Sequence, residues 1–97
     1  MVFLESSEVC SVDGVEAWEL KAAKQIGLNI RVIRTRRELT QDELGDLVEM
    51  KRSYLSEIEN GKHNLSLTTM LRLAKALKCQ LADIVADVKT ENRTRKR

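Results

Sequence analysis

Arg52, Ser53, Ser56 and Glu57 bring a guanidinium, two hydroxyls and a carboxylate into one short stretch of the chain. On a helix, residues three and four apart share a face, so these groups would project together, away from Leu55 and Ile58. Such a set is suited to hydrogen bonding along an extended polar surface. Bond-making chemistry has little to work with. The one histidine, His63, has no neighbouring His or Cys, and no Cys/His, Ser/His/Asp or metal-binding cluster can be assembled from the sequence. Cys10 and Cys79 lack CxxC or Cys/His spacing, so neither zinc nor a redox pair is indicated, and two free thiols fit a reducing cytoplasm. The expectation is a non-enzyme with no metal, no cofactor and no small-molecule substrate.

The elements that must position the polar face lie between Gln41 and Asn60. Leu44, Leu47 and Val48 recur at helical spacing, and so do Leu55 and Ile58, which predicts two short amphipathic helices with facing apolar stripes. Glu49-Met50 leaves room between them for a tight turn and not for a loop. A polar, part-basic helix face propped from behind by a second helix is a helix-turn-helix, a unit that places its second helix in the major groove of DNA. A four-helix globule with no ligand would give the same stripes.

Ninety-seven residues make one domain, and an apolar fraction of 42% supports a small core. Phe3, Trp18 and Tyr54 are the only aromatics, so the core must be aliphatic and base stacking on aromatic platforms has almost no means. The net charge of +2 hides an asymmetry: residues 1–20 carry −5, with no Lys or Arg, and the remainder carries +7. A basic domain with a basic tail suits a polyanion, although a solvated surface has the same composition. No apolar run approaches the roughly 20 residues needed to span a bilayer, and the N-terminus lacks the basic region of a secretory signal.

In chain order, residues 1–12 read as short strands or as an arm packed on the domain or on a partner. Asp13 and Glu16 have the spacing of a capping box. Val15, Trp18, Ala22, Ile26, Ile30 and Ile33 predict a helix from about Gly14 to Glu38, with a break near Gly27. Arg31, Arg34, Arg36 and Arg37 form a basic run whose readings, solvated face or phosphate contact, stay balanced. Thr40 and Glu43 make a second capping box, and Gln41 at that helix start can donate its amide hydrogens to a phosphate, helped by the free N–H groups and the helix dipole. The next helix is expected from about Lys51 to Glu59, ended by Asn60-Gly61. Lys62, His63 and Asn64 read as a polar loop with His63 in solvent. Ser66 can cap a helix from Leu67 to Leu77 with an apolar face of Met70, Leu71, Leu73, Ala74 and Leu77. Leu81 to Val85 reads as a fifth helix that completes the core and self-associates. Residues 87–97 are mostly charged and polar, with Val88 their one apolar side chain, and read as a frayed tail.

The segments IGLNIRVIRTRRELTQDELGDLV, RSYLSEIENGKHNLSL and LAKALKCQLADIV resemble the phage Cro and repressor-type (Xre-like) helix-turn-helix regulators, and in particular the small restriction–modification controller proteins. The resemblance spans Lys24 to Val85. It implies an all-α, compact five-helix lambda-repressor-like DNA-binding domain at 24–86, with an N-terminal extension at 1–23 and a basic tail at 87–97. It also implies that Lys51, Arg52, Ser53 and Glu57 are base-reading residues and that Gln41 contacts phosphate. Tyr54 and Ser56 fall on positions that contact backbone or bases, while Asn60 and Lys62 belong to a loop that touches phosphate. Arg34 and Glu59 match a structural ion pair. Within that frame Arg52 can meet guanine O6 and N7 with two hydrogen bonds, worth roughly 1–3 kcal/mol of discrimination. Ser53 is permissive. Glu57 can accept from cytosine N4 or pair with Lys51 or Arg52.

Four positions depart from the family pattern. Glu49 stands where the turn often has Gly, Lys51 where Ser or Thr often caps the recognition helix, Leu65 for a common Pro and Lys78 for a common Gly. A non-glycine residue in a left-handed turn costs roughly 1–2 kcal/mol. The reading the resemblance implies is a cytoplasmic homodimer that binds double-stranded DNA at a pseudo-palindromic operator, repressing or activating transcription. The alternative is an antitoxin-like or other protein-interaction module that uses the acidic N-terminal segment.

Overall fold

Thr40 takes an extended conformation and accepts from Glu43 N–H at 3.0 Å, while the Glu43 carboxylate accepts from Thr40 N–H at 2.8 Å. This reciprocal cap starts a helix where the Thr-x-x-Glu spacing predicts one. In the computed structural model, which describes residues 17–89, five helices follow in order: α1 (Ala17–Arg36), α2 (Gln41–Val48), α3 (Arg52–Glu59), α4 (Leu67–Leu77) and α5 (Leu81–Ile84). There is no strand among the described residues. The capping box at Asp13 and Glu16, the arm at 1–12 and the tail from Thr90 onward lie outside them.

Each helix contributes to one aliphatic core, made by Ile30, Leu44, Val48, Leu55, Ile58, Leu73, Ala74, Leu77 and Ile84. Of the five residues expected to clamp α2 to α3, Leu44, Val48, Leu55 and Ile58 are buried. Leu47 is not: it is 59% exposed. The buried face of α2 is Leu44, Gly45 and Val48, because the Met50 carbonyl comes so close that a Cβ on Gly45 would sit 2.6 Å from its oxygen. At 3.6 residues per turn Leu47 lies roughly 100° round the helix from the centre of that face. The same rotation corrects Leu71, 47% exposed, because α4 packs through Leu73, Ala74 and Leu77, with Met70 beside them.

The predicted break in α1 at Gly27 does not occur. Gly27 is needed for close approach: a Cβ there would stand 2.4 Å from the Ile58 carbonyl oxygen and 2.6 Å from that of Glu59. The first helix therefore crosses the end of α3 almost backbone to backbone. It stops at Arg36, short of the expected Glu38, because Glu38 is left-handed (φ 59°) and Leu39 N–H turns back to Arg34 C=O at 3.1 Å. The departure at Glu49 does not change the turn between α2 and α3: Glu49 takes the left-handed geometry itself, at φ 59° and ψ 46°, and its N–H bonds Gly45 C=O. Lys78 ends α4 in the same way at φ 58°.

Candidate nucleic-acid interface

Burial fixes which flank of α3 is available. Leu55 and Ile58 are enclosed, while Arg52, Ser53, Tyr54 and Glu57 are exposed and Ser56 is half-buried. Lys51 precedes the helix as an extended N-cap residue whose side chain makes no capping bond, so the first N–H groups of α3 have no acceptor from the cap residue's side chain. Asn60 and Lys62 are exposed in the turn that follows.

A buried carboxylate holds this flank in place. Glu59, 7% exposed, receives Arg34 Nε at 2.7 Å, Arg34 Nη2 at 3.1 Å and Gln41 Nε2 at 3.0 Å. Arg34 also donates through Nη1 to Leu39 C=O at 2.7 Å. One side-chain network thus ties α1, the start of α2 and the end of α3 together. Gln41 spends one amide hydrogen inside the protein and keeps the other for an outside acceptor.

The basic run at the end of α1 and just beyond it separates into two kinds. Arg34 serves Glu59, and Arg37 donates to Leu77 C=O at 2.8 Å and Lys78 C=O at 3.1 Å, closing the end of α4 against α1. Arg31 and Arg36 are exposed. Arg31 lines a polar hollow of about 250 Å³ together with Arg34, Gln41, Glu59 and Asn60. The structure therefore brings Arg31 beside two residues that sequence reading had set aside for phosphate, a placement that one-dimensional spacing left undecided.

Two sequence expectations need correction. His63 has a partner: its Nε2 lies 2.7 Å from Glu57 Oε1, and its ring centroid lies 4.8 Å from that of Tyr54. Glu57 accordingly pairs with His63 and not with Lys51 or Arg52. Nothing in the periodicity announces this contact, which depends on the path of the loop through Gly61.

Other chemistry is poorly provided for. Burial first, then the Asp83 carboxylate, push the Cys79 thiol above its usual range, with Arg37 opposing, so it stays protonated and weakly nucleophilic at neutral pH. Among the described residues no group of three His, Cys, Asp or Glu side chains could hold a metal ion. No helix among them is long and apolar enough to cross a membrane.

The packing of α2 and α3 defines a helix-turn-helix unit, and comparison with known proteins places it. The helix-turn-helix family model matches residues 30–84, and the chain belongs to that family. It is 40% identical over 62 residues to the immunity repressor protein of Bacillus phage phi105, covering 64% of this chain and 43% of that one. It is 32% identical over 54 residues to the control protein C.MunI of Mycoplasma sp, covering 56% and 73% respectively. Among solved structures it resembles the restriction–modification controller protein C.AhdI from Aeromonas hydrophila, with a TM-score of 0.62 and 34% identity over 64% of this chain and 94% of that one. The chain spans less than half the length of the phage repressor it matches. The part of α1 ahead of Ile30 precedes the family match.

Proposed function

We propose that this protein is a sequence-specific double-stranded DNA-binding transcriptional regulator that grips a pseudo-palindromic operator as a homodimer. The observation that carries the reading is the division of α3, with Leu55 and Ile58 fully enclosed and Arg52, Ser53 and Glu57 open on the opposite flank. In this reading Lys51, Arg52, Ser53 and Glu57 meet base edges in the major groove. Gln41, Tyr54, Ser56, Asn60 and Lys62 face the sugar–phosphate backbone, and Arg31 joins them through the hollow it shares with Gln41 and Asn60. The kinship with a phage immunity repressor and with control proteins supports regulation in place of catalysis. The DNA-binding unit is residues 24–86, preceded by an extension at 1–23 and followed by a basic tail at 87–97, and the setting is the cytoplasm. Two copies would place their α3 helices about 34 Å apart, one turn of duplex.

Selection from random duplexes followed by gel shift tests this. The expected result is a two-fold symmetric motif bound with an affinity that falls steeply with salt, because Lys and Arg displace counterions from phosphate. Arg52→Ala should relax preference at a single position in each half-site, by about 10-fold. Binding indifferent to salt, or an Arg52→Ala loss that is uniform across sequences, would remove α3 as the reading element.

A further inference from the structure

The loop after α3 doubles back onto the flank that α3 offers to DNA. Gly61 makes the reversal possible: it is buried at φ 76°, and a Cβ there would lie 2.7 Å from Lys24 Cα. Lys62 N–H then closes the turn on Glu57 C=O at 2.9 Å. His63 comes next and reaches Glu57 with its Nε2 at 2.7 Å, while its ring tilts at 51° over Tyr54. Tyr54 and Glu57 are three apart on one helix, so a single imidazole spans both. On its other side His63 lines a hollow with Trp18, Ala22, Ile26 and Leu65, three of them from the part of α1 that precedes the family match.

A carboxylate only accepts hydrogen bonds, so Nε2 carries the hydrogen in this contact. The bond uses one acceptor site of Oε1 and leaves Oε2 of Glu57 open to a second donor. An unrestrained glutamate in a groove walled by phosphates faces like-charge repulsion and loses rotamer freedom of up to about 2 kcal/mol when fixed. A donor at Oε1 reduces both penalties before DNA arrives. We infer that His63 sets the base specificity of α3 at one operator position, holding Glu57 so that its free oxygen accepts from an exocyclic amino group in the major groove, cytosine N4 foremost. This rests on the DNA-reading role proposed above. His63 is a positioning residue: it acts through Glu57 and touches no base.

The test is selection from random duplexes with the full chain carrying no substitution, His63→Ala, His63→Gln, Glu57→Gln or the His63→Ala/Glu57→Gln pair. Thermal unfolding of each variant confirms that it is folded. Glu57→Gln should lose preference at one position per half-site. His63→Ala should lose it at that same position, from about 10-fold discrimination to about 2-fold, with the rest of the motif retained. His63→Gln, whose amide can donate to the same carboxylate, should keep the preference, and the paired variant should be no worse than Glu57→Gln. A uniform loss across sequences in His63→Ala would mean a backbone contact and overturn the inference. So would an unchanged motif in either single variant. If the unsubstituted chain selects no motif at all, the DNA-reading proposal falls and takes this one with it, whereas a clear motif that ignores His63 sinks this inference alone.

Discussion

A single buried carboxylate decides whether α3 keeps its seat. Glu59 is enclosed and meets three donors, two from Arg34 and one from Gln41. A buried ion pair adds little against an apolar pair of the same size, yet removing one partner is costly because the other charge is left without compensation. Arg34→Met should therefore lower unfolding free energy by about 3 kcal/mol in urea titration. The Arg34→Met/Glu59→Met pair should recover most of the loss. Equal damage from the single and the paired variants would mean that packing, not the stranded charge, sets the cost. The sequence made this pair visible only through family resemblance, since the partners are 25 residues apart. The role of Arg37 was not visible: it sits in the same basic run as Arg31, and only the fold shows that it binds the carbonyls at the end of α4. The link from Glu57 to His63 was hidden for a related reason, because a loop reversal and not a helical period joins them.

The starts of α2 and α4 were the most legible features of the chain. Thr40 with Glu43 and Ser66 at α4 are local signals, complete within four residues, and the structure uses both. Helix faces were less legible where a close backbone approach rotates the packed side, as at Gly45, which turned Leu47 outward. The entry to α3 shows two elements left below their best stability. Glu49 is left-handed without being glycine, and Lys51 occupies the cap position with no capping bond. Glu49→Gly should gain up to about 1 kcal/mol, the relief of the left-handed strain less the added freedom of the unfolded chain. Lys51→Ser should gain about 1 kcal/mol from a side-chain cap, which for a chain of this size raises the melting temperature by roughly 4–8 °C. The two should differ on DNA. Lys51→Ser should weaken operator binding while it stabilises the fold, and Glu49→Gly should leave binding near its original strength. A Lys51→Ser protein that is both more stable and equally tight would remove Lys51 from the reading set.

At the scale of the whole molecule, charge is sorted along the chain, −5 on residues 1–20 and +7 on the rest. Among the described residues, the cations on or beside α3 include Arg31, Lys51, Arg52 and Lys62, all exposed. Counterion release turns their number into a measurable slope, since each phosphate neutralised contributes about −0.9 to the dependence of log affinity on log salt. Symmetry then makes one substitution report on assembly. In a homodimer Lys62→Ala removes a contact from each half-site, so the slope should flatten by about 2, whereas a single bound copy would flatten by about 1. The loss should be the same for every sequence, because a phosphate contact carries no base information. A flattening near 1 with a full-length symmetric operator would mean that only one protomer uses this loop, and the two-fold docking proposed here would have to give way to an asymmetric one.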